Sequence, residues 1–386
     1  MIFRKFFSRS DILVQTCKIC GEKKPLSSAI GICKDCITKR FNEAYPYLRK
    51  VHSRVRERYN LPQEPPNADN GIKCNLCSNN CRIGVGEKGY CGLRYNDNGK
   101  LISYSTIEKA PLISYLDPHI TNCCASWFCP GGTGLGYPDY AVQKGPERGY
   151  YNLAVFFYGC NFSCLFCQNW EHKQIDGSKQ VDAEKLANIA LGNSKVTCIC
   201  YFGGSPEPHL PYTINVNKKI LERKGDRIIR ICYEWNGAGN SNLVKTVGKQ
   251  VLESGGIIKF DLKAPNNELS YALSGVRNDT AFRNFKMLYD LYWHERPEVP
   301  IITATTLLVP GYIGPEEVEE IAKFISEINR KIPYSLLVFH PAFILNDLPI
   351  TPKKVAIQSL ERARRYLDNV HLGNQFLLGL APNELI

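Results

Sequence analysis

From residue 153 onward, short runs of apolar, β-branched and aromatic residues alternate with longer stretches whose apolar positions fall three and four apart. The short runs are 153–158, 196–202, 227–233, 257–262, 301–309 and 335–339. Between them, 182–191, 241–254, 280–294, 315–329 and 351–369 read as helices. Asp182 can cap the first of these, and Pro315 suits the first turn of the fourth. Such alternation predicts parallel strands joined by crossover helices. The expected fold is α/β: a partial (β/α)6 TIM-like barrel over residues 151–386, with 375–380 closing its edge.

Two cysteine-rich modules precede the barrel. Residues 1–60 hold two C-x-x-C knuckles and a helical stretch at 39–59. A Pro/Asn/Asp-rich link, 61–71, leads into a second module that ends near residue 150. There is no tandem repeat. No run approaches the roughly 18 apolar residues of a membrane helix. The first 14 residues lack the apolar core and cleavage site of a signal peptide, so a cytoplasmic protein that does not engage a membrane is expected.

In such a barrel, chemistry collects where the strands end. The predicted strands run in turn into GCNFSCLFC, GGSPEP, EWNG, DLK, VPG and His340. Cysteines, a glycine pair, an asparagine, an acid–lysine pair and a histidine thus share one end of the barrel.

The chain has 17 cysteines. Their odd number and C-x-x-C spacing point to metal or redox cofactors rather than a disulfide framework. Cys160, Cys164 and Cys167 offer three thiolates in one short loop. A [4Fe–4S] cluster has four irons, so three cysteines leave one corner free for a small molecule. Cys17, Cys20, Cys33 and Cys36 have the spacing of a tetrahedral zinc site, with rubredoxin-like iron as the rival. Cys74, Cys77, Cys81 and Cys91 could hold zinc or an auxiliary iron–sulfur cluster, a structural metal being favoured. Cys123, Cys124 and Cys129 could ligate another cluster, supply a redox thiol, or simply pack. Cys198, Cys200 and Cys232 sit in apolar runs and read as buried core.

The C-x3-C-x-Φ-C pattern, with Phe166 as Φ, resembles the signature of radical S-adenosylmethionine enzymes. The resemblance implies that the open iron binds S-adenosylmethionine and that an electron cleaves it to a 5′-deoxyadenosyl radical, which abstracts hydrogen from a substrate. It implies roles for other strand-end residues too. Gly203 and Gly204 resemble the glycine pair beside the methionine amino group, although Ser205 stands where an acid is common and Glu207 follows two positions on. Glu234 and Asn236 resemble residues that meet the ribose and methionine ends. Asp261 and Lys263 resemble the DLK segment of glycyl-radical activating enzymes, where the lysine pairs with the methionine carboxylate. Val309, within LVPG, resembles the loop on adenine, and His340 a late histidine near the nucleoside. The stretch GCNFSCLFCQNW, the cysteines from Cys74 to Cys91 followed by Gly92-Leu93-Arg94, and residues 339–352 are most similar to the radical protein of the AmmeMemoRadiSam system. The N-terminal knuckles and CCASWFC at 123–129 depart from it, which marks a divergent relative.

The formal charge of +11 is concentrated at the start. Residues 1–60 carry 14 Lys and Arg against five acids. This basic segment admits nucleic acid as a partner. The expected function is an activating-enzyme-like radical enzyme that acts on a protein or peptide, with ferredoxin or flavodoxin as electron donor. The alternatives are a zinc-ribbon nucleic-acid-binding protein and an RNA-modifying radical enzyme.

Overall fold

The computed structural model describes residues 14–380. Arg4, Lys5, Arg9 and Asp11, counted in the N-terminal charge, lie outside the described residues. The first module is a hairpin, β1 (Val14–Thr16) with β2 (Lys23–Pro25), followed by α1 (Lys34–Lys39) and α2 (Phe41–Glu57). Two further small hairpins pair β3 (Ile72–Lys73) with β4 (Arg82–Ile83), and β5 (Arg94–Asp97) with β6 (Lys100–Ser103). Then come β7 (Lys109–Pro118) and the one-turn α3 (Pro130–Thr133).

The main sheet adds β8 (Tyr151–Phe157), β9 (Gln180–Asp182), β10 (Val196–Phe202), β11 (Arg230–Trp235), β12 (Ile258–Asp261), β13 (Ile302–Leu308), β14 (Tyr334–Val338) and β15 (Val370–Gly373). Its order is β15-β14-β13-β12-β11-β10-β8-β7-β9. Seven neighbouring strands, β8 and β10 to β15, run parallel. β7 and β9 continue the sheet antiparallel at one edge. The barrel is therefore open, between β9 and β15.

The six expected strands are present, and a seventh parallel strand joins them. It is β15, which precedes the segment expected to close the edge; that segment, Gln375–Leu378, is a 3-10 turn instead. Strand propensity in 370–373 is diluted by His371 and Gly373, so its four residues do not stand out. Asp182 sits at the N-cap of α4 (Ala183–Gly192), but its side chain accepts no capping hydrogen bond.

The crossovers use α4, α5 (Leu210–Arg223), α6 (Ser241–Ser254), α7 (Asn267–Ser274), α8 (Asp279–Tyr292), α9 (Pro315–Ile328) and α10 (Lys353–Arg364). α5 and α7 escape a hydrophobic-pattern reading for physical reasons. α5 buries Thr213 and Asn217 on its inner face along with Leu210, Val216 and Ile220. Asn217 is satisfied there by Tyr201 Oη at 2.8 Å and by its own donation to Tyr233 Oη at 2.9 Å. α7 is only two turns long and starts on an Asn266 cap that accepts from Leu269 N at 3.0 Å.

The main core lies between the sheet and these outer helices. Within the strands alternate residues face the bore. β10 contributes Cys198, Cys200 and Phe202; β11 contributes Cys232 and Glu234, with Asn236 beyond its end; β12 contributes Lys259 and Asp261. A second apolar core fixes the N-terminal module on the barrel mouth. Leu26, Ile30, Ile32, Ile37 and Leu48 pack with Leu165, Phe166, Leu269, Leu273, Tyr312 and Phe339. Ser27 N donates to Tyr312 Oη at 3.1 Å, and Ser27 Oγ donates to Asp347 Oδ1 at 2.8 Å. Gly311 has φ +82°, and a Cβ there would stand 2.6 Å from Pro25 O, so glycine permits the approach of the two modules.

Candidate active site

The loop carrying Cys160, Cys164 and Cys167 leaves the C-terminal end of β8. Neighbouring backbone holds it from several sides. Ser163 N donates to Ser274 O at 2.8 Å and Leu165 N to Leu273 O at 2.9 Å. Ile344 N and Leu345 N both donate to Leu165 O, at 3.0 and 3.1 Å. Asn79, from the second module, donates to Asn161 O at 2.7 Å. The loop geometry therefore depends on α7, the 339–348 segment and the second cysteine module together.

The three cysteines line one cavity of about 260 Å³ with Phe166, Gly203, Gly204, Glu234, Asn236, Asp261 and Lys263. No fourth cysteine lines it. All three are partly buried. Burial pushes Cys160 up to about 12 and Cys167 to about 11, with Cys164 adding repulsion and Lys173 opposing it. Cys160 and Cys167 so raised keep their protons at neutral pH unless a cation takes their place. Three convergent soft donors with a free fourth corner fit a [4Fe–4S] cluster.

Polar links lock the loops around the cavity. Asn236 Nδ2 donates to Asn161 Oδ1 and to Ser205 Oγ, both at 2.8 Å. Ser205 in turn donates to Glu207, whose other oxygen accepts from Gly237 N at 2.6 Å. Glu207 is fully buried, and burial pushes its pKa up to about 7 despite these donors. It braces the loops and does not line the cavity. Lys263 forms an ion pair with Asp261 and lies 5.6 Å from the centre of the Phe166 ring. Burial works against its charge, but Asp261 and the nearby thiols outweigh it and hold the pKa above the ordinary lysine value.

Gly203 and Gly204 have φ of +62° and +46°. A Cβ on Gly203 would stand 2.1 Å from the Phe156 ring, and one on Gly204 2.3 Å from Phe157 O. The fold itself thus requires both glycines, whatever the cavity binds. Two sequence-predicted residues do not reach the cavity. Val309 packs in the core under the N-terminal module, because the chain leaves β13 at Leu308; Thr305 and Leu307 line the cavity instead. His340 turns its Nδ1 to Pro341 O at 3.1 Å, and Leu337 and Asn374 stand at that side of the cavity. His172 also lines the cavity with its Nδ1 unpartnered, and burial holds it neutral. Nothing in the sequence singles it out, since it lies past the cysteine motif in a short 3-10 turn.

Cys17, Cys20, Cys33 and Cys36 converge, all four sulfurs lying within 4.8 Å of one another. That fits one tetrahedral ion. Burial opposes the Cys17 thiolate, but backbone donors at Cys20 and Cys33 hold its pKa down to about 6. Part of the module's basic charge is paired within the protein. Lys24 meets Asp35 at 2.7 Å, Lys34 meets Glu317 at 2.8 Å and Arg49 meets Glu64 at 2.9 Å. The Arg56 guanidinium is buried 3.4 Å from the centre of the Tyr90 ring and donates to Pro62 O and Tyr90 O.

Cys74, Cys77, Cys81 and Cys91 are not drawn into a comparably tight set. Cys74 and Cys81 pack in the same apolar cluster as Cys160 and Cys164. Cys198, Cys200 and Cys232 are buried, as expected, but they are not solid core. They line a second cavity that also receives Cys123 and Cys129.

Strand ends, cysteine loop and cavity bring the chemistry-bearing residues to one end of the sheet, and the family comparison falls on the same part of the chain. Residues 154–325 match the Radical SAM superfamily. The superfamily's cofactors are a [4Fe–4S] cluster and S-adenosylmethionine. An uncharacterized protein of Methanocaldococcus jannaschii is 25% identical over 333 residues, 79% of this chain and 82% of its own. A proposed glycyl-radical enzyme activating enzyme of the same organism is 21% identical over 240 residues, 61% of this chain and 93% of its own. Among solved structures, a domain of pyruvate-formate lyase-activating enzyme from Bacteroides vulgatus aligns at 16% identity and TM-score 0.37, over 45% of this chain and 98% of that one. The second of these relatives accords with an activase-related branch. Among the described residues, no helix is long and apolar enough to cross a membrane.

Proposed function

We propose that the protein reductively cleaves S-adenosylmethionine and uses the resulting radical to remove hydrogen from a protein or peptide substrate. The observation that carries this reading is the convergence of Cys160, Cys164 and Cys167 on a cavity with no fourth cysteine. The bound cluster supplies the electron that cleaves the sulfonium. The chain's own residues bind and orient. Lys263, fixed by Asp261, offers a cation for the methionine carboxylate. Asn236, anchored between Asn161 and Ser205, presents a rigid amide at the cavity wall. Phe166 and Leu307 give apolar walls that keep water from a reactive intermediate.

A protein or peptide substrate is favoured by the similarity to a proposed activating enzyme. Ferredoxin or flavodoxin would supply electrons. Zinc in the four-cysteine set holds the N-terminal module as a cover over the barrel mouth. With its apolar face spent on the barrel and Lys24 and Lys34 paired internally, that module takes a structural role in this reading.

The test is anaerobic. Protein reconstituted with iron and sulfide, reduced with dithionite and given S-adenosylmethionine should form 5′-deoxyadenosine. Cys160→Ala should form none and should lose one cluster's iron. Equal product from Cys160→Ala would refute the assignment.

A further inference from the structure

Below the cofactor cavity the bore holds a second cavity, also of about 260 Å³. Five cysteines line it: Cys123, Cys129, Cys198, Cys200 and Cys232. Three come from β10 and β11, and two from the 123–129 segment that folds under the sheet. Phe202, Glu234 and Lys259 line both cavities and so form the partition between them.

One set of donors at this partition is closer than packing requires. The Cys123 and Cys124 sulfurs and a Glu234 carboxylate oxygen all lie within 4.8 Å of one another. Cys124 Sγ stands 3.4 Å from Glu234 Oε1. A tetrahedral ion with ligands at about 2.0–2.3 Å separates its donors by roughly 3.5–4 Å, so this set closes on one ion. Soft thiolates with one carboxylate select a borderline-soft divalent cation.

The surroundings complete the charge. Lys259 is buried, with its Nζ 3.1 Å from Cys123 Sγ, 3.2 Å from Cys200 Sγ and 3.9 Å from Glu234 Oε2. A divalent ion, two thiolates, one carboxylate and this ammonium sum to neutrality, which favours a partly buried site. N–H donation from Lys259 and from Ala125 N, 3.4 Å from Cys123 Sγ, is the kind of outer contact that orients metal thiolates. Cys198 and Cys232 pair with each other at 3.6 Å, and so are not drawn into the set.

We propose that Cys123, Cys124 and Glu234 hold a single divalent cation of the zinc class, with its remaining coordination position open to the cysteine-lined cavity. Three protein ligands with a free position are the pattern of a reactive rather than a structural ion. The ion lies at the partition with the cofactor cavity, where a liganded group would face the radical chemistry. Glu234 then serves this ion rather than S-adenosylmethionine.

Full-length protein, reconstituted with iron and sulfide and then given zinc and desalted, tests this. Cys123→Ser/Cys124→Ser should bind one zinc fewer than wild type, with the iron count unchanged. An unchanged zinc count, or iron with sulfide in place of the zinc, overturns the proposal. Should the double variant not fold, the wild-type protein decides by alkylation and mass spectrometry. Cys123 and Cys124 should resist iodoacetamide with zinc bound and react once a chelator removes it; equal labelling in both states overturns the proposal.

Discussion

Stripping the metal from Cys17, Cys20, Cys33 and Cys36 is expected to unfold the N-terminal module and bare the barrel mouth. The segment is too small to bury a core alone, and a structural four-cysteine zinc site supplies about 10–16 kcal/mol of folding energy. Three of the four thiols are almost fully buried, so an unmetallated set would leave coupled thiols without compensation. The apolar surface lost with the module includes contacts to Leu165 and Phe166 of the cluster loop and to Leu269 and Leu273 of α7. Hydrogen exchange should therefore rise in 26–55 and also in 163–166 and 269–275 when a chelator is added. Cys33→Ser should reproduce the pattern. Protection unchanged in both regions would show that the module holds by packing alone.

Arg230→Ala is expected to destabilise the protein by about 3–5 kcal/mol, because it strands a buried charge. Arg230 Nη1 and Nη2 donate to the two Glu147 oxygens at 2.8 and 2.6 Å. Both side chains are almost wholly buried. Thr197 Oγ1 adds a donor to Glu147 at 2.6 Å, and Arg230 also reaches Tyr140 O at 2.9 Å. The pair ties the 140–147 loop to β10 and β11 under the second cavity. Burial opposes ionisation of Glu147, yet Arg230 outweighs it and holds the carboxyl below its ordinary range. That stabilising share is present above the unfolded carboxyl pKa and is lost as pH falls through the lower folded one. Arg230→Met with Glu147→Leu, which removes both charges, should cost less than Arg230→Ala alone. Denaturant unfolding of the three proteins measures the difference; an equal or larger cost for the double variant would contradict the stranded-charge account.

The six strands were legible because buried parallel strands read as continuous apolar runs, as in LAVFF of β8 and IITATTLL over residues 301–308. The cysteine loop was legible because three ligands sit close together in the chain. Hidden features depend on distance in space. β7 lies in a region rich in turns and is recognised by its antiparallel partners β8 and β9. The shared cavity of the Cys123 segment with Cys198, Cys200 and Cys232 needs the register of β10 on β11, which pairs Cys200 with Cys232. Val309 and His340 lie beyond the ends of β13 and β14, where strand alternation no longer sets the direction of a side chain. The docking of the N-terminal module was invisible because its apolar residues are few, and their partners lie more than 100 residues away.

The central claim is that three cysteines hold a cluster with one iron left for S-adenosylmethionine. Electron paramagnetic resonance of the reduced, reconstituted protein tests it most directly, with and without S-adenosylmethionine. The account predicts a [4Fe–4S] signal that changes on addition of the ligand in wild type and is lost in Cys160→Ala. A signal that S-adenosylmethionine leaves unchanged, or one that survives intact in Cys160→Ala, would contradict it.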